Sequence, residues 1–522
     1  MSSKLQRAIS FTIDAGYQLD KQAFDFLSTL SQTEDPVRLM EEVIKRIEAL
    51  PQKTLFIQRS FLEEILERTF KEGKEEKLGS LESPSPIPRA RKAFHAYAED
   101  AKAEIEVIQD PTDEICETGS IEEYLKCFQD RFKRTQKLLR RRIDVRDATS
   151  ITEALKSSAN TKVKIICMIT EKRERKQRVF LTVEDLETNA TVLASQKTNE
   201  AVIKKARMLL LDQTVCICAI RGRNSMFIAE DIIWPDIPQR QAHKASVPVY
   251  AALISDLHIG SKAFMREEFS RFVLWLNGKF GNEDLKDIAS HVKYVVIAGD
   301  LVEGIGIYPR QIEDLAITDI YEQYRMVSKF FEQIPDYIEL IIIPGNHDVS
   351  RKALPQPAMP RDYVEALYEG RQVHSLGNPS SVRLHEVELL LYHGRSLEDV
   401  IASIPNVSFQ TPGIAMKLLL QSRHLAPTYG KKTYMAPEKR DFMIIERPPD
   451  IFHSGHMHVI KVDNYRGTLI VNSGAWQRQT EFQRKMGIVP NPGIAPIVNL
   501  QTLQVTPIDF TASSTQTHIA SS

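Results

Sequence analysis

The sequence predicts a multidomain α/β protein with three folded parts: a small helical module, an OB-type β-barrel and a larger α/β sandwich. Three observations carry this. Apolar residues recur at helical spacing over residues 1–70; short strands follow one another as β-β-β-α-β-β over 159–240; and near-continuous apolar strands alternate with helices over 248–510. At roughly 150 residues per domain, 522 residues suit about three such units.

In the N-terminal module, Asp35 and Pro36 supply a cap and an N1 proline ahead of VRLMEEVIKRIEAL. Ser60 and Glu63 form a capping box for a further helix. Residues 71–120 open with KEGKEEKLGSLESPSPIPRARK, charged and then rich in Ser and Pro, and are expected to be a largely disordered linker. Residues 121–158 form a basic helical connector carrying Arg131, Lys133, Arg134, Lys137, Arg140, Arg141, Arg142 and Arg146. Those charges suit either a solvated face or a helix that contacts phosphates.

The barrel strands are KVKIICMIT, RVFLTVEDL, TVLASQ, QTVCICAIRG and SMFIAEDIIW, with the helix NEAVIKKARMLLL between the third and fourth. A basic hairpin, EKRERKQR, joins the first two strands through Lys172, Arg173, Arg175, Lys176 and Arg178. Binding of single strands needs aromatic platforms as well, and only Phe180, Phe227 and Trp234 are available. Docking of a protein partner therefore stands beside strand binding as the use of this barrel. Residues 511–522 are expected to be a disordered tail.

Lys and Arg total 68 against 69 Asp and Glu, so net charge gives no sign of a nucleic-acid partner. No apolar run reaches 18 residues and no signal-peptide core opens the chain, which points away from the membrane. Five irregularly spaced cysteines do not make a disulfide framework or a zinc knuckle. The expected location is a reducing cytoplasm, beside the nucleoid.

The chemistry lies in five short segments, each following an apolar strand: Asp256-Leu-His258, Gly299-Asp300, Gly345-Asn346-His347-Asp348, His393-Gly394 and Gly455-His456-Met-His458. Together they offer Asp, Asn and His ligands, a set suited to manganese, with zinc or iron as alternatives. Two such ions side by side neutralise a phosphate and activate water for in-line attack, and a carboxylate must bridge them. Asp300 is the natural bridge. Any one segment is weak evidence; five in order, each at a strand end, are not.

These motifs resemble the calcineurin-like metallophosphoesterase superfamily over about residues 248–480. The resemblance implies that Asp256, His258 and His458 hold one ion, that Asn346, His393 and His456 hold the other, and that Asp300 bridges. It implies that His347 is a catalytic residue acting on the leaving oxygen, with Glu303 as the carboxylate that orients it. Phosphatases of the superfamily place an Arg after that carboxylate; here Gly304 follows, which favours a diester. Arg351, Lys352, Tyr308 and Arg310 are candidate substrate-binding residues because they follow the second and third motifs.

The order of parts, with the stretch NSGAWQRQTEFQRKMGIVPNPGIAPIVNL, resembles the small subunits of archaeal family-D DNA polymerases. That resemblance implies a 3′-to-5′ proofreading exonuclease working with a large polymerase subunit on primer-template DNA and single-stranded 3′ ends, possible contact with a sliding clamp included. The alternatives are a non-catalytic scaffold subunit and a stand-alone metallophosphodiesterase. His453, His291, His374, His385 and His424 lack metal-ligand spacing and are read as structural.

Overall fold

In the computed structural model the described residues are 94–115, 119–195 and 199–512, with single positions among the first 62. The chain divides into two compact units, Met1–Arg91 and Lys92–Ser522. Within the first unit, Ala23, Leu27, Met40, Val43 and Leu62 share a buried cluster, and Gln18–Leu19 pairs in parallel with Phe56–Ile57. The expected caps at Asp35 and Ser60, the stretch 71–93 and the tail beyond 512 lie outside the described residues.

The second unit corrects the expected linker. Residues 105–109 are a strand, β1 (Ile105–Gln109), whose Val107 pairs with Val382 at the edge of a six-stranded sheet. Its Ile and Val residues suit a half-buried edge, and pairing covers backbone groups that would otherwise stay open. The charged, Ser- and Pro-rich stretch ahead of it masked this short signal.

The basic connector forms helix α1 (Ile121–Arg140), started by a Ser120–Glu123 capping box. Two of its arginines are engaged by protein, not available for phosphates. Arg131 is buried, with Nε 2.6 Å from Asp441 Oδ2 and Nη1 donating to Pro427 O at 2.9 Å. Arg134 bridges Asp130 at 2.8 Å and Glu446 at 3.0 Å.

Strands β2 (Lys162–Arg175), β3 (Arg178–Glu184), β4 (Asn189–Ser195), β5 (Thr214–Arg221) and β6 (Met226–Ile233) close a barrel in the order β2-β3-β4-β6-β5. Helix α2 (Glu200–Arg207) lies between β4 and β5, the order read from the sequence. Alternate residues such as Ile165, Leu181, Val192, Ile217 and Phe227 fill the interior. In the basic hairpin, Lys172 is turned inward: its Nζ donates to Arg207 O at 3.0 Å and Leu209 O at 2.7 Å, just past α2. The barrel packs on the sandwich through Leu210 and Ile237, and Gln213 Nε2 donates to Ser422 Oγ at 2.6 Å.

The sandwich has two six-stranded sheets. One runs β10 (Val373–Ser375), β9 (Glu339–Ile343), β8 (Val292–Ala298), β7 (Tyr250–Ile254), β16 (Ile494–Asn499), β17 (Val505–Asp509). The other runs β14 (Lys461–Tyr465), β15 (Thr468–Asn472), β13 (Ile451–Ser454), β12 (Val387–Leu391), β11 (Ser380–Leu384), β1. Leu253, Val296 and Ile341 share a core with Leu389, Ile451 and Val471 between the sheets. On the outer faces, Ile254 and Ile297 pack with Phe272 and Tyr324 of flanking helices, while Phe452 and Ile470 pack with Met416 and Leu419. Every residue of β8 is buried, which explains the apolar run from Tyr294 to Ala298. Strands β7, β8 and β9 are parallel, as are β12 and β13, so their carboxyl ends open together. Among the described residues no helix is long and apolar enough to cross a membrane.

Candidate metal centre

The five motifs follow β7, β8, β9, β12 and β13, and their side chains converge. Five of the seven expected ligands sit in left-handed backbone: Asp256 at φ +53°, His258 at +51°, Asp300 at +54°, His456 at +68° and His458 at +56°. Each such residue costs about 1–3 kcal/mol and persists only where its surroundings over-determine it. Gly299 is required by closeness: a Cβ there would lie 2.7 Å from both Gly345 N and His393 Nδ1.

Two clusters of donors result. Asp256, His258 and His458 form one, and Asp300, His393 and His456 the other; a third group close enough to share an ion, His258, Glu303 and His347, overlaps the first at His258. In the first, His258 Nε2 and His458 Nε2 lie 3.1 Å apart, and His458 Nε2 is 3.4 Å from Asp256 Oδ1. In the second, His393 Nε2 is 3.4 Å from Asp300 Oδ2 and 3.0 Å from Asn346 Oδ1. Asp300 Oδ2 also lies 3.7 Å from His258 Nε2, so one carboxylate oxygen stands between the two clusters.

The donor set fits divalent ions. Asp256 Oδ1 is buried with no hydrogen-bond partner, which is costly unless a cation meets it. An acceptor stands behind two of the rings, as ligating imidazoles require, and the Gln483 side-chain amide stands behind a third. His393 Nδ1 donates to Ala298 O at 2.8 Å, His456 Nε2 lies 3.0 Å from Glu398 Oε1, and Gln483 Nε2 lies 2.8 Å from His458 Nδ1.

The buried acids and imidazoles of the site shift one another. Burial pushes the Asp256 carboxyl up, but His458 and then His393 outweigh it and hold it at about 2. Burial disfavours charge on His258, yet Glu303 raises it to about 9; His393 is likewise raised to about 9 by Asp300 against the effect of burial. Asp348, buried beside Asp300, is pushed up to about 6 by burial first and that neighbouring charge second. It accepts from Gly345 N at 2.9 Å and Leu301 N at 3.1 Å, tying the second and third motif loops together.

One expected role changes. The Glu303 carboxylate does not orient His347; its Oε2 lies 3.0 Å from His258 Nδ1. Glu303 instead holds His347 through its main chain, with His347 Nδ1 donating to Glu303 O at 2.7 Å. The tight turn at Gly304, φ +71°, brings that carbonyl into reach while directing the side chain inward.

The expected substrate contacts divide. Arg351 is committed to protein, donating to Pro355 O at 2.7 Å and pairing with Glu438. Lys352 Nζ donates to Asn346 O at 2.6 Å, and burial lowers its pKa. Tyr308 OH lies 3.2 Å from Glu303 Oε1 and 3.1 Å from Asp314 Oδ2. Arg310, at φ +62°, precedes a short 3-10 turn and is exposed. Sequence reasoning missed Glu398, Gln477 and Gln483. Gln477 Nε2 donates to Glu303 Oε2 at 2.8 Å. Glu398 follows the His393 motif by five residues, a spacing that could have flagged it; the two glutamines carry no such signal.

The family of B subunits of DNA polymerases alpha and epsilon matches residues 251–459, the stretch that contains all five motifs. The DNA polymerase II small subunit of Archaeoglobus fulgidus is 36% identical over 478 residues, covering 92% of each chain. That of Methanothermobacter thermautotrophicus is 34% identical over 470 residues, covering 90% of this chain and 93% of its own. That of Methanocaldococcus jannaschii is 38% identical over 408 residues, covering 77% of this chain and 68% of its own. With identity at this level running through nearly the whole length, the chain belongs to the family of archaeal DNA polymerase II small subunits.

Proposed function

We propose that the five strand ends form a two-metal phosphodiesterase centre, acting as a 3′-to-5′ DNA exonuclease that proofreads for the large polymerase subunit. The observation that carries this reading is the position of Asp300 Oδ2, 3.7 Å from His258 Nε2 and 3.4 Å from His393 Nε2. A carboxylate so placed between two donor clusters suits a bridge. Asp256, His258 and His458 would hold one ion, and Asn346, His393 and His456 the other. Manganese suits this oxygen and imidazole set, with zinc or iron as alternatives. When bound, the ions supply charge neutralisation and water activation.

The chain's own residues do the rest. His347 Nδ1 is fixed by Glu303 O, so Nε2 is the atom left to give a proton to the departing O3′ of the shortened strand. Burial pushes His347 below its ordinary pKa, so Nε2 takes up the proton it gives only when a nearby negative charge, such as the substrate phosphate, favours the charged ring. Its backbone N–H donates to Asp300 Oδ1 at 2.8 Å, coupling the acid to the bridge. Glu303, Glu398 and Gln483 hold the rings of His258, His456 and His458.

In this reading the sandwich is calcineurin-like and the barrel OB-type, the barrel serving to dock the large subunit or to guide a strand. Membership of a small-subunit family implies a large catalytic partner, and DNA and a sliding clamp follow from the replication role. The test is digestion of a labelled, 3′-mismatched primer by the two-subunit complex with manganese or with EDTA. Shortening from the 3′ end that EDTA abolishes is expected; a primer left intact with manganese would overturn the reading.

A further inference from the structure

Beside His347 lies a cleft of about 450 Å³ that the metal site does not use. Its apolar walls are Ile305, Ile307, Ile320, Val349 and Pro360, with Lys352 at the side shared with the centre. They come from three stretches of chain: the loop after β8, the first residue of helix Ile320–Phe331, and the segment after β9. Ile305 is 43% exposed, an unusual setting for an isoleucine beside a polar site. Gly304 and Gly306, at φ +71° and +75°, shape the loop that presents Ile305 and Ile307.

We propose, resting on the nuclease reading above, that this cleft receives the unpaired base of the 3′-terminal nucleotide. The chemistry favours a base over a further phosphate. Apolar walls suit a planar, weakly solvated ring, whereas a second phosphate needs several uncommitted cations. Of the two basic residues at the cleft, Arg351 is paired with Glu438. The other, Lys352, donates to Asn346 O at 2.6 Å and has two further N–H donors for the phosphate joined to that base. Outside the cleft lining itself, Tyr321 follows Ile320 in the chain and Tyr363 lies three residues after Pro360. Their half-exposed rings stack at 5.5 Å with an interplanar angle of 5°, an aromatic surface on which a neighbouring base can lie. A base still paired in a duplex cannot enter the cleft, so the site selects frayed or mismatched ends and resists paired ones.

The test compares 3′ ends on otherwise identical single strands, using the manganese-loaded two-subunit complex. One end carries a normal terminal nucleotide, the other an abasic one. The wild type is expected to lose about tenfold or more in kcat/KM on the abasic end. Ile305→Trp, which fills the cleft from an exposed loop, is expected to remove most of that difference, and Ile305→Leu to keep it. Equal hydrolysis of both ends by the wild type overturns the inference, as does a full wild-type ratio in Ile305→Trp. Hydrolysis of neither end by the wild type overturns the nuclease reading itself, and this inference with it.

Discussion

His347 donates its Nδ1 proton to the main-chain carbonyl of Glu303 at 2.7 Å, while the Glu303 carboxylate turns to His258 at 3.0 Å. One residue thus orients two histidines by two different groups, and substitution of its side chain can separate them. Glu303→Gln keeps the carbonyl that holds His347 and removes the charge behind His258. Metal affinity is expected to fall about 10- to 100-fold. Excess manganese should then restore most of the turnover. Turnover that stays low at saturating metal would return the carboxylate to the catalytic step.

Asp300→Asn removes the charge shared by both donor clusters. Nuclease activity is expected to drop more than about a hundredfold, with at least one ion lost per chain. Elemental analysis and primer digestion read both effects. The circular dichroism spectrum should match wild type, because Asn keeps the size of the buried side chain.

His347→Ala leaves the seven expected ligands in place. Metal content is expected to stay at the wild-type value while kcat falls about 10²- to 10⁴-fold. Loss of an ion in this variant would make His347 a ligand.

In the ion-free chain His258 and His393 are both held near 9, so each is protonated at neutral pH. An ion requires both rings neutral, and binding must expel those protons. Protons compete below about 9 and cease to compete above it. Manganese affinity should therefore climb as pH rises through neutrality, by about tenfold per unit for each proton expelled, and level off near 9. Calorimetric titrations in buffers of different ionisation enthalpy count the protons; a pH-independent affinity would contradict the ion-free charge state.

Arg131→Ala addresses stability and not catalysis. Arg131 and Asp441 are both buried and lie 2.6 Å apart, with His424 Nε2 2.9 Å from the same carboxylate oxygen. Removing the arginine leaves a buried charge whose partner is gone, which costs about 3–5 kcal/mol. Denaturant unfolding measures the loss. The charges near Asp441, chiefly Arg131, hold its carboxyl well below the usual range against burial. Its stabilisation is therefore present above the ordinary carboxylate pKa and is lost as pH falls.

Several elements were legible because they depend on local pattern. The strand order of the barrel could be read because apolar runs and one helical stretch alternate within 80 or so residues. The convergence of Asp256, His258, Asp300, Asn346, His393, His456 and His458 was legible because each follows a buried strand, and parallel strands in an α/β layer end on the same side. Ile105–Gln109 was not legible: five residues make a strand only when Ser380–Leu384 offers an open edge. Arg131 and Arg134 read as a basic stripe because Asp441 and Glu446 lie some 310 positions away.

The sequence by itself determined the donor types, their order and the buried strands that deliver them, since these follow from side-chain chemistry and from the apolar runs that precede each motif. Only the tertiary structure decided how the donors divide into two clusters, with Asp300 Oδ2 between them. It alone decided that Glu303 faces His258, that Glu398 and Gln483 stand behind His456 and His458, and that Ile305 walls a cleft beside His347. The physical reason is the same for all of these. Which atom of a side chain meets which neighbour depends on backbone angles such as the left-handed turns at Asp256, His258 and Asp300, held in place by packing from distant parts of the chain.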